Sequence, residues 1–176
     1  MSFKERMNMI KTIIITVSSL FIFQGCIDYK DDPLCSEYKY VPFDKLEQTI
    51  GVEGAKKIIK SGNIYIYEDL LLISEVDEGI HIIDNHNKEN PISKLFIRIP
   101  GNINMAVKDG YLYVDNYMDL VVIDIRDLDN IKEIKRKKNL FEFNSYQMLD
   151  IAYSSYFYED ECGFDIDNGV LIKVQK

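Results

Sequence analysis

The chain has no tryptophan, only two histidines and three cysteines among 176 residues, and 21 basic against 29 acidic side chains. Each scarcity removes a class of protein. So few histidines and cysteines leave little from which to build a zinc site, whose ligands are mostly nitrogen and sulfur. A formal charge of −8 opposes a phosphate-tracking surface, which needs clustered Lys and Arg, so no nucleic-acid partner is expected. Nine glycines and four prolines are too few for a collagen-like or low-complexity chain. There is no G-x-S-x-G, P-loop, Rossmann fingerprint or CxxC, and neither a cofactor nor a resident metal is expected. No apolar run reaches the roughly 20 residues of a membrane-spanning helix. What remains is 47% hydrophobic, enough for one domain with a real core.

The first 26 residues carry an address. Lys4, Arg6 and Lys11 precede an apolar run from Ile13 to Phe23, the order of a secretory signal. The run ends in Phe23-Gln24-Gly25-Cys26, which resembles the lipobox of bacterial lipoproteins. That resemblance implies cleavage after residue 25, lipidation (including palmitate) of Cys26, and the membrane as a partner through it. Loss of residues 1–25 removes Lys4, Arg6, Lys11 and Glu5 and leaves the chain still more acidic. Residues 26–42 read as a tether. Within them Lys30-Asp31-Asp32 is similar to the surface-export signal of Bacteroides-group lipoproteins, implying an outer-membrane, surface-exposed location in the bacterial envelope. In that oxidising compartment Cys35 and Cys162 are candidates for a disulfide.

A repeat of forty residues organises the centre. Leu71-Leu72-Ile73-Ser74-Glu75 aligns with Tyr111-Leu112-Tyr113-Val114-Asp115, and Gly79-Ile80-His81-Ile82-Ile83-Asp84 with Asp119-Leu120-Val121-Val122-Ile123-Asp124. A period of 40 to 45 with several short strands points to propeller blades. Expected strands are 64–67, 70–74, 80–84 and 92–99, then 103–107, 111–114, 120–125 and 131–137. Asp84 and Asp124 close their strands and are read as acceptors for turn amides. Residues 169–174 resemble a third copy of the Gly79 to Asp84 strand.

The segments Ile80-His81-Ile82-Ile83-Asp84 and Leu120-Val121-Val122-Ile123-Asp124 resemble the strand that gives the LVIVD repeat family its name. That resemblance spans roughly residues 42–137 and implies a lipid-anchored or extracellular β-propeller without established chemistry. The expected fold is therefore all-β: a partial β-propeller of about two and a half four-stranded blades behind a signal peptide and a short helical segment. Phe43, Leu46 and Ile50 have helical spacing, and a second short helix is expected over 53–59, so residues 43–60 form a helical cap on the first blade. Residues 61–139 hold two blades and 140–176 a divergent, incomplete third. Its open edges imply a homo-oligomer or another cover, unless the chain is a fragment of a longer propeller.

Candidate chemistry is sparse. His81 takes the place of Val121 and is read as repeat variation, while His86 lies in a polar turn. Asp165, Asp167 and Asn168-Gly169 invite a calcium loop, but the glycine falls one residue early, and a two-residue hairpin between 164–166 and 170–174 is the preferred reading. Lys132, Lys135, Arg136, Lys137 and Lys138 form the one basic cluster, expected on an outer strand where lysines deter edge pairing. Twelve tyrosines can pack between blades or stack on a sugar or peptide. The expectation is a non-enzymatic binding or scaffolding module with a protein or polysaccharide partner in the envelope. The competing reading is a glycan-processing or metal-assisted enzyme using Glu161, Asp165 and Asp167.

Overall fold

A computed structural model describes residues 35–142, 162–165 and 167–174. The signal segment, Cys26 and Glu161 lie outside these residues. The described residues form an all-β fold of three antiparallel sheets. The first sheet holds β2 (Gly51–Gly54), β3 (Ser61–Tyr67), β4 (Leu70–Glu75), β5 (Gly79–Asp84) and β6 (Ile92–Arg98), in the order β2-β6-β5-β4-β3. The second holds β7 (Met105–Lys108), β8 (Tyr111–Asn116), β9 (Asp119–Asp124) and β10 (Lys132–Lys137), in the order β10-β9-β8-β7. β1 (Tyr38–Pro42) and β11 (Gly169–Lys173) pair as the third.

The repeat reaches down to single hydrogen bonds. The Asp84 carboxylate accepts from the N–H of His86 at 3.0 Å, and that of Asp124 from the N–H of Arg126 at 3.1 Å. One turn later Asn87 accepts from the N–H of Glu89, and Asp127 from that of Asp129. In each case a short acceptor holds a turn amide two residues on, releasing the chain from one strand and aiming it at the next.

Alternation along the strands builds the core. Leu72, Ile80, Ile82, Leu95 and Ile97 of the first sheet share one buried cluster with Val107, Leu112, Val114, Val121 and Ile123 of the second. The contributing positions differ between the sheets: β5 offers Ile80 and Ile82, whereas β9 offers Val121 and Ile123, the counterparts of His81 and Ile83. Leu72 and Leu112, also counterparts in the repeat, both face this core, so the two sheets meet through the same face, and the shift on β9 follows from a β8–β9 hairpin one residue shorter than that of β4–β5. The counterparts of Ile80 and Ile82 in the second sheet, Leu120 and Val122, face away from this core.

Gly79 fits this packing because a Cβ there would stand 2.1 Å from the Ile97 carbonyl oxygen, and its φ of 149° disfavours any side chain. Its repeat counterpart is Asp119, which follows a shorter connection, Tyr117-Met118 rather than 76–78.

The structure departs from the sequence reading in five places. First, the tether is shorter than residues 26–42, since Cys35–Glu37 is a 3₁₀ turn and Tyr38–Pro42 is a strand. Second, Phe43–Thr49 is a 3₁₀-helix, and its Leu46 packs with Met118 and Val170, beside the second sheet rather than on the first. Third, residues 53–59 are not a helix: Gly51–Gly54 pairs with β6 and gives the first sheet a fifth strand, because that edge offers a ladder of partners. Fourth, among the described residues, 169–173 pair with β1, from Tyr38 opposite Lys173 to Pro42 opposite Gly169, rather than with a third blade, most of whose expected span lies outside those residues. Fifth, the hairpin expected at Asn168-Gly169 lies partly outside the described residues, at Ile166, and among those described, residues 169–173 pair with β1 rather than with 164–165. The Asn168 carbonyl accepts from the N–H of Phe43, so the chain leaving this turn is taken up by β1.

Candidate functional site: the open face of the second sheet

On β8 and β9 the side chains pointing away from the core are Tyr111, Tyr113, Leu120 and Val122. With Ile134, Lys135 and Lys137 of β10 they line an open groove of about 450 Å³. The register sets Tyr113 opposite Val122 and Val122 opposite Lys135, so an aromatic ring, an aliphatic floor and an ammonium cross the sheet in one row. The groove faces away from the first sheet, and Ile134 is 46% exposed.

The equivalent row of the first sheet, Ile73, His81 and Phe96, ends in a buried ring where this one ends in the exposed Lys135. A sheet stacked here as the second is stacked on the first would bury two ammonium groups. One end carries a further cation, because the Arg126 guanidinium lies 4.7 Å from the Tyr111 ring centre. Arg126 also grips Asp124 through two bonds, of 3.0 and 2.6 Å, and this pairing holds the Asp124 carboxyl down at about 2.

Arg136 does not belong with its lysine neighbours. Its side chain is only 7% exposed, and the guanidinium donates to Glu133, Asp119 and the side-chain oxygen of Asn116. Burial disfavours its charge, but Glu133 and Asp119 outweigh this and its pKa is raised. Asp119 in turn accepts from the N–H of Asn139 at 2.9 Å. Lys132, Lys135, Lys137 and Lys138 are exposed on or just beyond the outer strand β10.

The other carboxylates in the repeats are engaged in structure. Glu75 is 2% exposed and accepts from the N–H groups of Ile59 and Lys60 and from His81 Nε2 at 3.0 Å. Asp115, its repeat partner, accepts from the N–H groups of Ile103 and Asn104 and from the amides of Asn102 and Asn104. Both thus fasten the chain just ahead of a repeat strand, β3 for Glu75 and β7 for Asp115. The aligned acids at 75 and 115 are the sequence signal for this role. Asp115→Ala strands these donors, that of buried Asn102 among them, and is expected to cost about 3 kcal/mol by urea denaturation.

His81 is fully buried against Phe96, and its Nδ1 has no partner among the described residues. His86 is exposed, 3.2 Å from Asp69. Asp165 accepts from the Asn168 amide, and Asp167 is exposed. Among the described residues no three of His, Cys, Asp or Glu gather as a metal site, and no helix is long and apolar enough to cross a membrane. Cys35 and Cys162 are joined in a disulfide beside Leu171, with Tyr38, Tyr40 and Phe164 packed around it.

Burial raises the Glu75 pKa, but the bonds from Ile59, Lys60 and His81 outweigh it and leave it below the ordinary 4.5. A lowered carboxyl stabilises the fold above its unfolded value, and that contribution is lost as pH falls through the folded one. Stability is therefore expected to hold near neutrality and to drop below about pH 4.5, with a shallower drop in Glu75→Gln, read from urea midpoints at stepped pH.

No family model, curated protein or solved structure matches the chain.

Proposed function

We propose that the protein is a lipid-anchored, non-enzymatic binding module of the bacterial cell envelope, built on propeller-like repeats, with the open face of the second sheet as its binding surface. One observation carries the reading. The open face of the second sheet sets an apolar floor of Leu120, Val122 and Ile134 between Tyr111 and Tyr113 on one side and the exposed Lys135 and Lys137 on the other. Amphipathic side chains around an apolar floor suit a ligand that is partly wet and partly stacked. The lipid anchor at Cys26 rests on the basic-apolar-Gly-Cys order, and the outer-membrane, surface-exposed location on Lys30-Asp31-Asp32.

Two measurements test the reading. Immobilised envelope fragments are expected to retain the wild-type chain and to lose at least tenfold of it on Tyr113→Ala with Lys135→Glu. Equal retention of that variant overturns the binding face. Palmitate label is expected on the wild type and absent from Cys26→Ser, and label persisting in that variant removes the anchor.

A further inference from the structure

The chemistry of the open face also bears on what it takes. We infer that this groove binds an acidic polysaccharide, with the sugar rings on Tyr113 and Tyr111 and their carboxylates paired with Lys135 and Lys137. The inference rests on the binding-face reading and goes one step beyond it.

Tyr111 and Tyr113 stand two residues apart on β8, so their rings emerge on one side of the sheet roughly 7 Å apart. Lys135 and Lys137 have the same spacing on β10, across the Leu120 and Val122 floor. A linear ligand lying along the strands meets an aromatic row on one flank and a cationic row on the other. Neither lysine has an ion-pair partner among the described residues, although the chain as a whole carries −8. Two uncommitted cations on an acidic protein select for an anion, and a mostly apolar floor selects for one with an apolar face.

Three other occupants fit less well. A second copy pairing β10 to β10 sets lysine rows against each other, and a second copy stacking on the face buries them. An acidic peptide adding a strand at β10 meets a ladder broken between Glu133 and Lys135, together with edge lysines of the kind that discourage pairing. An anionic bilayer is planar and meets the wider acidic surface at once, whereas a single saccharide chain meets only the groove and its two lysines. A saccharide needs no edge: it uses the face.

The test is titration calorimetry on the lipid-free mature chain with four probes: polygalacturonate, neutral dextran, poly-glutamate, and vesicles of anionic phospholipid. Polygalacturonate is expected to bind, with affinity reduced at least tenfold in Tyr113→Ala and in Lys135→Gln with Lys137→Gln, and falling as salt rises. The lysine variant alters only exposed side chains, so its loss is not a folding failure, and circular dichroism of both variants checks this. Dextran binding as well as polygalacturonate overturns the role of charge. Poly-glutamate or vesicles binding as well overturns the saccharide. If none binds while envelope fragments still retain the chain through this face, the ligand class is wrong and the binding face stands; if envelope retention is also insensitive to Tyr113 and Lys135, both fail.

Discussion

Arg136→Met is expected to cost about 3–5 kcal/mol, seen as a lower urea midpoint for the whole chain. Among the described residues the guanidinium is the one cation paired with Asp119, whose side chain is 3% exposed, and it also holds Glu133 and the Asn116 oxygen. Removing it leaves Asp119 charged in a site where little water reaches it. Asn116 donates in turn to the Pro100 carbonyl, so the damage spreads to the connection between the first and second sheets. Arg136→Lys should recover only part of the loss, because an ammonium lacks the planar fork that meets Glu133 through two parallel bonds. Arg136→Met combined with Asp119→Asn should recover more, since no charge is then stranded. An unchanged midpoint in Arg136→Met contradicts this account.

The second large effect is expected at the Cys35–Cys162 disulfide. It closes a span of 127 residues, and a link that long removes much freedom from the unfolded chain, so Cys35→Ser should lower stability by about 2–5 kcal/mol. The loss should be uneven. Among the described residues β1 and β11 pair only with each other, whereas the two larger sheets share their own core. Hydrogen exchange should accelerate first at residues 38–42 and 169–173 and least within β4, β5, β8 and β9. Uniform acceleration across the chain would show instead that the small sheet is part of the cooperative unit.

What was legible in the sequence follows from range. Strands of the two repeats are bounded by local turn chemistry, and Asp84 and Asp124 hold amides two residues away, so a forty-residue comparison finds them. The small sheet is different: Tyr40 meets Leu171 across 131 positions, and nothing near either residue signals the other. Gly51–Gly54 looks unlike a strand because its conformation comes from the β6 edge, against the weak propensity of two glycines. Arg136 hides within a lysine run, where only the strand's alternation separates a buried guanidinium from exposed ammoniums. The open face of the second sheet was half visible. The tyrosines and lysines were noted separately, but the register that sets Tyr113, Val122 and Lys135 in one row is a tertiary fact.

The pairing of β1 with β11 also bears on the order of folding. Hairpins β3–β4, β4–β5, β7–β8 and β8–β9 close over a few residues, at a small entropic cost, and form on the microsecond scale. The β1–β11 ladder joins segments more than 120 residues apart and gains nothing until both have been delivered to the same place. The chain should therefore assemble from the middle outwards, the stacked sheets first and the terminal strands last. Until that last step, Val41 and Val170, both buried in the finished fold, remain in contact with solvent. While the disulfide is open, the vulnerable species is a nearly complete protein whose two end segments have yet to meet. Stopped-flow refolding of the reduced chain should show a slow phase confined to probes in those segments, which the closed disulfide shortens by holding them together.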